Sequence, residues 1–204
     1  VNSENSKAGI KIVDFSEVPS DILPLIVSLI ARLSFSVQQW TKSEERHPIA
    51  LLCDEAHLYI PNKSSSSSSD EISLSIFERI AKEGRKYGLS LVVISQRPSE
   101  VNRTVLSQCS NFIAMRLTNT DDQMVIKKLL PDNLGGFGDI LPILDTGEAL
   151  VVGDASLLPS RIRIDKPLKT PDSGTVEFWD EWQKDVKSNR ISIAVNNWRK
   201  QNIG

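Results

Sequence analysis

His47-Pro48-Ile49-Ala50-Leu51-Leu52-Cys53-Asp54-Glu55 is a short apolar run that ends in two adjacent carboxylates. An apolar segment this short, bounded by His-Pro on one side and by charge on the other, reads as a buried parallel strand over Ile49 to Cys53. In open α/β sheets, ligands gather at the carboxyl ends of the strands. Asp54 and Glu55 therefore mark the edge of a ligand site. Taken alone, the pair also suits the start of a helix, with Asp54 as N-cap and Glu55 favoured by the helix dipole.

Hydrophobic residues followed by Asp-Glu form the Walker B pattern of P-loop NTPases. In that pattern Asp54 would hold the Mg²⁺ of a bound nucleotide through water, and Glu55 would polarise the water that attacks the γ-phosphate. A second apolar run, Leu89 to Ser95 (LSLVVIS), reads as a buried central strand. It ends in Ser95-Gln96-Arg97-Pro98. An amide at the end of a strand beside Asp54 and Glu55 suits a nucleotide sensor: Gln96 can donate to a γ-phosphate oxygen and accept from the attacking water. Its plainer role is a turn residue ahead of a proline.

Around these two runs the elements alternate. Ile10 to Phe15 (IKIVDF) reads as a strand. Asp21 to Trp40, with Ile22, Leu25, Ile26, Leu29, Ile30 and Leu33 at helical spacing, reads as a helix capped by Ser20 or Asp21. Strand, helix and strand make a βαβ unit with a parallel crossover. The run Ser64 to Ser69 reads as a mobile surface loop. Glu71 to Tyr87 is a second helix, with Ile72, Ile76, Ile80 and Tyr87 near one face and Gly88 as C-cap. Val101 to Cys109 is a short helix and Phe112 to Leu117 a strand. A helix capped by Thr120-Asp121 runs to Leu130, and Pro131 to Leu144 is a turn-rich connection. Gly147 to Gly153 and Ser160 to Ile164 form a terminal hairpin or paired edge strands. Beyond Lys166 the chain is polar, with helices over Val176 to Lys187 and Ile191 to Arg199. Trp179, Trp182 and Trp198 lie in that tail, where they suit anchoring to the body or to a neighbouring subunit.

Composition narrows the class. With 204 residues, 40% of them hydrophobic and 25% charged, the chain can build one substantial core. A formal net charge of −2 gives no global basic signal, so any nucleic-acid contact needs a local patch. Lys127, Lys128, Arg103 and the serine loop are the candidates, and each also suits an ordinary surface. Cys53 and Cys109 lack metal-ligand spacing and suggest no disulfide framework, so a reducing cytoplasm is the default expectation. No apolar run reaches membrane-spanning length. The sequence begins on Val1 in a polar stretch and is expected to be part of a longer protein.

The segments CDEAHLYIPN (Cys53 to Asn62) and RIAKEGRKYGLSLVVISQRPSEVNRTVLSQCSNFIAMRLTNTDDQ (Arg79 to Gln123) resemble the C-terminal half of the ATPase domain of HerA. HerA is a DNA-translocating ATPase of the HerA–FtsK group. The resemblance spans about Ile10 to Ile164, and the order DEAH, EGRKYG, SQRPSE, LSQC is its specific part. It implies an α/β fold: a RecA-like P-loop NTPase core with a mainly parallel sheet flanked by helices, plus a C-terminal helical tail. Residues 1–165 would be the second half of the ATPase domain and 166–204 a tail or brace. It also implies a homo-hexameric ring around double-stranded DNA, with ATP and Mg²⁺ bound between subunits.

By the same resemblance, Asp54 and Glu55 are the Walker B acids and Gln96 ends the sensor strand. Arg85, in GRKYG, holds the position from which an arginine reaches the neighbour's γ-phosphate, with Arg116 and Arg97 as alternatives. Such proteins work in DNA end processing with a NurA-like nuclease, or in anti-phage defence with an effector partner. The alternative is an assembly scaffold that activates an effector, with hydrolysis only regulatory. One departure is large: G-x-x-x-x-G-K-[ST] occurs nowhere in the chain. The phosphate-cradling half is expected elsewhere, and the 204 residues by themselves are expected to bind ATP poorly.

Overall fold

The computed structural model describes residues 9–62, 68–130, 135–169, 176, 178–184 and 190–200. The chain divides into two units, Val1–Asp165 and Lys166–Gly204.

In the first unit, β1 (Ile49–Cys53) and β2 (Leu89–Val93) pair in parallel, in register from Ile49↔Leu89 to Cys53↔Val93. Between them runs α2 (Ser68–Glu83), which supplies the long crossover that parallel strands require. Ahead of them lies α1 (Leu23–Trp40), which packs on α2. Successive residues of a strand face opposite sides. Ile49, Leu51 and Cys53 of β1, with Leu89, Leu91 and Val93 of β2, join the core formed with α1 and α2. Phe35, Phe77, Ile60 and Leu74 are its most fully buried large side chains. The alternate residues Leu52 and Val92, with Ile94 beyond β2, remain 67%, 41% and 45% exposed.

After β2 come α3 (Arg103–Ser107), β3 (Asn111–Ala114), α4 (Thr120–Leu129), the short α5 (Gly135–Gly138), β4 (Glu148–Gly153) and β5 (Ser160–Arg163). β4 pairs antiparallel with both β3 and β5, so the expected terminal hairpin is present. A second apolar cluster, including Ile126, Leu141, Leu144 and Leu150, packs there. The parallel part of the expected mainly parallel sheet is thus the β1–β2 pair, and the other pairings among the described residues are antiparallel. In the second unit, α6 (Phe178–Trp182) and α7 (Arg190–Lys200) occupy much of the expected helical tail. On α6, the Trp182 ring lies 5.4 Å from that of Trp179 and 5.8 Å from that of Phe178.

Several local expectations are corrected. Ile10 to Phe15 pairs with no strand among the described residues, and Ile10 and Ile12 are 83% and 90% exposed. β-favouring residues need a neighbouring strand to form a ladder, and the described residues offer none there. Neither Ser20 nor Asp21 caps α1; it starts after Ile22 with Pro24 in its first turn. Its buried face is Val27, Ala31, Phe35 and Gln38, whereas Leu25, Leu29 and Leu33 of the expected stripe are exposed. Ser68 and Ser69 open α2 rather than close a loop, and 63–67 lie outside the described residues. Ile76 and Ile80 are buried as expected, while the Ile72 side chain lies outside the described set. β2 is not buried on both faces, since one of its faces is open. Asn119, not Thr120-Asp121, caps α4, accepting the N–H groups of Asp121 and Asp122. Residues 131–134, 170–175, 177 and 185–189, parts of the expected connection and tail, lie outside the described residues.

The turn between α2 and β2 is tight. Gly88 ends it in the left-handed region at φ 71°, as the sequence suggests. At Gly84 an added Cβ would stand 2.3 Å from the Leu89 carbonyl oxygen. Replacing Gly84 by alanine must push β2 away from the turn. We expect Gly84→Ala to destabilise the fold by about 1–3 kcal/mol, read as a lower midpoint in urea unfolding at unchanged slope; an unchanged midpoint would contradict this packing.

Candidate functional site

The parallel ladder continues past the ends of both strands. Ile94 N–H donates to the Cys53 carbonyl, and Ala56 N–H donates to the Ile94 carbonyl, each at 2.9 Å. These bonds bring Asp54-Glu55 alongside Ser95-Gln96. The chain turns between them at Glu55, the one non-glycine residue with positive φ among those described (φ 47°, ψ 44°). A glutamate in the left-handed region carries strain, and such strain concentrates at functional sites. A single turn of 3₁₀ helix, Ala56–Leu58, follows without a side-chain cap, so Asp54 is not a helix N-cap. Its Oδ1 instead accepts the Glu55 N–H at 3.0 Å. The Tyr59 hydroxyl donates to the Asp54 carbonyl at 2.7 Å and holds the turn from behind.

At the centre, Gln96 Nε2 donates to Glu55 Oε1 at 2.6 Å. His57 Nδ1 lies 3.4 Å from Glu55 Oε2 and 3.2 Å from Ser95 Oγ. Ser95 Oγ also accepts the Arg97 N–H at 3.0 Å. The three sequence candidates Asp54, Glu55 and Gln96 therefore meet at one place, at the carboxyl end of the parallel pair. Asp54 is exposed and presents hard carboxylate oxygen to solvent, the donor type that hydrated Mg²⁺ takes. Among the described residues there is no cluster of three or more metal-ligating side chains.

The three arginines fall apart. Arg85 sits in the turn before β2, at the opposite end of that strand. Four residue steps of strand alone separate the two ends by roughly 13 Å. Arg85 is exposed and makes no ion pair with the described residues. Arg97 lies beside Gln96, but its guanidinium is paired with Glu100 at 2.7 Å, which raises its pKa above the usual value. Arg116 is exposed just beyond β3. Of the candidate basic contacts, Lys127 is paired with Asp139 at 2.7 Å, and Lys128 and Arg103 are exposed.

Sequence reasoning missed the braces of the Gln96 loop. Asn102, 1% exposed, caps α3 through its Oδ1 and donates through Nδ2 to Glu78 of α2 at 3.3 Å. Its backbone N–H reaches the Ile60 carbonyl, and Asn62 N–H reaches the Glu100 carbonyl. Asp122, 7% exposed, accepts the Ser99 N–H at 2.9 Å. A buried polar side chain needs such partners. Asn and Asp in a turn-rich stretch carry no signal that says which backbone they will bond.

The parallel pair with helical crossover, ending in an acidic turn, has the P-loop NTPase fold. VirB4 of Thermoanaerobacter pseudethanolicus superposes with a TM-score of 0.54 at 17% identity, over 76% of this chain and 40% of that one. The genome packaging NTPase B204 of Sulfolobus turreted icosahedral virus 2, in complex with AMPPCP, does so at 0.51 and 15% identity, over 76% and 65%. In sequence the chain is similar to HerA proteins. It is 28% identical over 194 residues to the DNA double-strand break repair helicase HerA of Sulfolobus acidocaldarius, covering 93% of this chain and 38% of that protein. It is 37% identical over 118 residues to HerA of Pyrococcus furiosus, covering 58% and 20%. The chain thus spans well under half the length of these relatives, and it matches no protein-family model.

Burial beneath the site has a chemical consequence. It pushes the Cys53 thiol up to about 11 and raises the Tyr59 hydroxyl further above its usual range. Burial also raises the Cys109 thiol. At pH 8 the Cys53 thiolate is a fraction on the order of one in a thousand. A thiol reagent should therefore label both cysteines slowly in the folded protein and rapidly in denaturant; fast labelling of Cys53 in the folded state would show that β1 is not packed as described.

Proposed function

We propose that this chain is the Walker B-bearing part of an ATP-driven DNA translocase or helicase. In this reading Glu55 polarises the water that attacks the γ-phosphate, and Gln96 reads that phosphate. The observation that carries it is the Gln96–Glu55 contact of 2.6 Å at the carboxyl end of two parallel strands, on a strained backbone. An amide that can bond both a carboxylate and a phosphate oxygen ties the position of the base to the presence of the nucleotide. The similarity to HerA helicases along 93% of the chain supports DNA as the track.

Asp54 would hold hydrated Mg²⁺, with its Oδ1 already taken by Glu55 N–H. Bound with ATP, such an ion would supply positive charge against the phosphate oxygens. The lysine and glycine-rich cradle for the phosphates are not in this sequence, so the whole ATPase needs a further part to supply them.

Arg85 is proposed to act on the nucleotide of a neighbouring subunit in a homo-hexameric ring. Its guanidinium, without an ion pair among the described residues, and its place at the far end of β2 from Glu55 favour a target other than its own site. Arg116, exposed beyond β3, is the alternative. A nuclease of the NurA kind, or another effector, is the proposed partner, in DNA end processing or anti-phage defence. Among the described residues no helix is long and apolar enough to cross a membrane.

The test is steady-state ATP hydrolysis by the full-length protein, with and without linear duplex DNA, alongside its mass in solution. We expect DNA-stimulated turnover from a species about six times the protomer mass, with DNA affinity falling steeply with salt. Glu55→Gln should lower turnover by about 100-fold or more while ATP affinity stays within about threefold. Normal turnover in that variant would remove Glu55 as the base, and a hexamer indifferent to DNA would favour the scaffold reading.

A further inference from the structure

We propose that His57 is a positioning residue for Glu55, donating an Nδ1–H that is shared between Ser95 Oγ and Glu55 Oε2. The proposal rests on Glu55 being the base of the hydrolysis described above. It adds a second donor to that base, one that motif matching does not assign.

The geometry begins with Glu55 itself. Its Oε1 is taken by Gln96, but its Oε2 is shielded from solvent and has no hydrogen bond. A carboxylate oxygen withdrawn from water without a donor is unfavourable. His57 Nδ1 stands 3.4 Å from it, without the geometry of a hydrogen bond. A small turn of the imidazole or of the carboxylate that aims the N–H at Oε2 would complete it. The left-handed turn at Glu55 is what brings this about, because it folds the chain so that His57 stands over Ser95 and beside Glu55.

The neighbours select the tautomer. A neutral imidazole carries one N–H and one lone pair. A lone pair at Nδ1 would face the carboxylate of Glu55 and be repelled by it. An N–H at Nδ1 faces two acceptors, Ser95 Oγ and Glu55 Oε2. Ser95 Oγ accepts the Arg97 N–H and keeps a second lone pair that can take an Nδ1–H. His57 thus bridges the base to the end of β2 from the side opposite Gln96. Gln96 on one oxygen and His57 on the other define the plane of the carboxylate. A base with a fixed plane presents its free lone pairs in one direction, which is the geometric requirement for activating a water. The His57 side chain is 15% exposed against 37% for Glu55, so it is held by packing while the carboxylate is open to a nucleotide.

The alternative is that His57 only packs the 3₁₀ turn. Asparagine places an amide N–H close to the imidazole Nδ1 position, glutamine places one near Nε2, and alanine offers neither. In the full-length protein we expect His57→Ala to lower kcat for ATP by about tenfold to thirtyfold with KM within about twofold. His57→Asn should recover kcat to within about threefold of the wild type, and His57→Gln should not. Thermal midpoints of the variants are read in parallel. If Asn and Gln restore turnover equally, or His57→Ala lowers the midpoint and leaves kcat intact, the positioning role is overturned. If His57→Ala does not fold, the comparison of Asn with Gln decides alone. Loss of turnover in Glu55→Gln beside a normal His57→Ala would sink this proposal and leave the base in place. Normal turnover in Glu55→Gln would sink the base itself.

Discussion

The register of β1 against β2 is the constraint on which the site depends. Ile49 stands opposite Leu89 and Cys53 opposite Val93, so both strands end level. The two bonds through Ile94 carry that register one step further. A slip of one residue in β1 would send Ile49, Leu51 and Cys53 to the open face. It would also part Glu55 from Gln96. The register is held because Ile49, Leu51, Cys53, Leu89, Leu91 and Val93 all join one core with α1 and α2. At the other end of the pair, Gln38 of α1, 3% exposed, donates to the carbonyls of His47 and Gly88. One buried amide thereby binds the start of β1 to the turn that feeds β2.

Hydrophobic burial orders the strands, but polar bonds aim the side chains. The left-handed Glu55 is maintained by Tyr59 on the Asp54 carbonyl, by Ala56 N–H on Ile94, and by Asp54 Oδ1 on the Glu55 N–H. The loop after β2 is tied to the segment after β1, to α2 through Asn102 and Glu78, and to α4 through Asp122 and Ser99. A strained residue persists only where its surroundings over-determine it. The density of bonds around Glu55 meets that condition. It also links the site to elements that carry no chemistry of their own.

GRKYG shows how one short motif can serve two ends. Gly84 lets the Leu89 carbonyl approach, and Gly88 takes the left-handed conformation that turns the chain into β2. Both glycines therefore have structural reasons to be there. Arg85 and Lys86 are carried on the outside of that turn, exposed. The motif both starts β2 and displays positive charge away from the Glu55 site.

Much of this was legible in the sequence because it depends on short-range order. The apolar runs that became β1 and β2, the helical periods of α1 and α2, the glycine that stops the α2 turn, and the acids after β1 are local signals. The hairpin of β4 and β5 joins neighbours in sequence and was legible for the same reason. Which face of α1 is buried was not: Leu25, Leu29 and Leu33 are as apolar as Val27, Ala31 and Phe35, and only packing against α2 chose between them. Likewise Ile10 to Phe15 has the alternation of a strand, but a ladder needs a partner that periodicity cannot supply. The sequence by itself determined the elements and the identity of Asp54, Glu55 and Gln96 as candidates. The tertiary structure alone decided that Ser95 and Gln96 come beside His57 and Glu55, and that Asn102 and Asp122 brace the Gln96 loop. Those pairings join residues far apart in the chain, and their bonds form only once the core has set the distances.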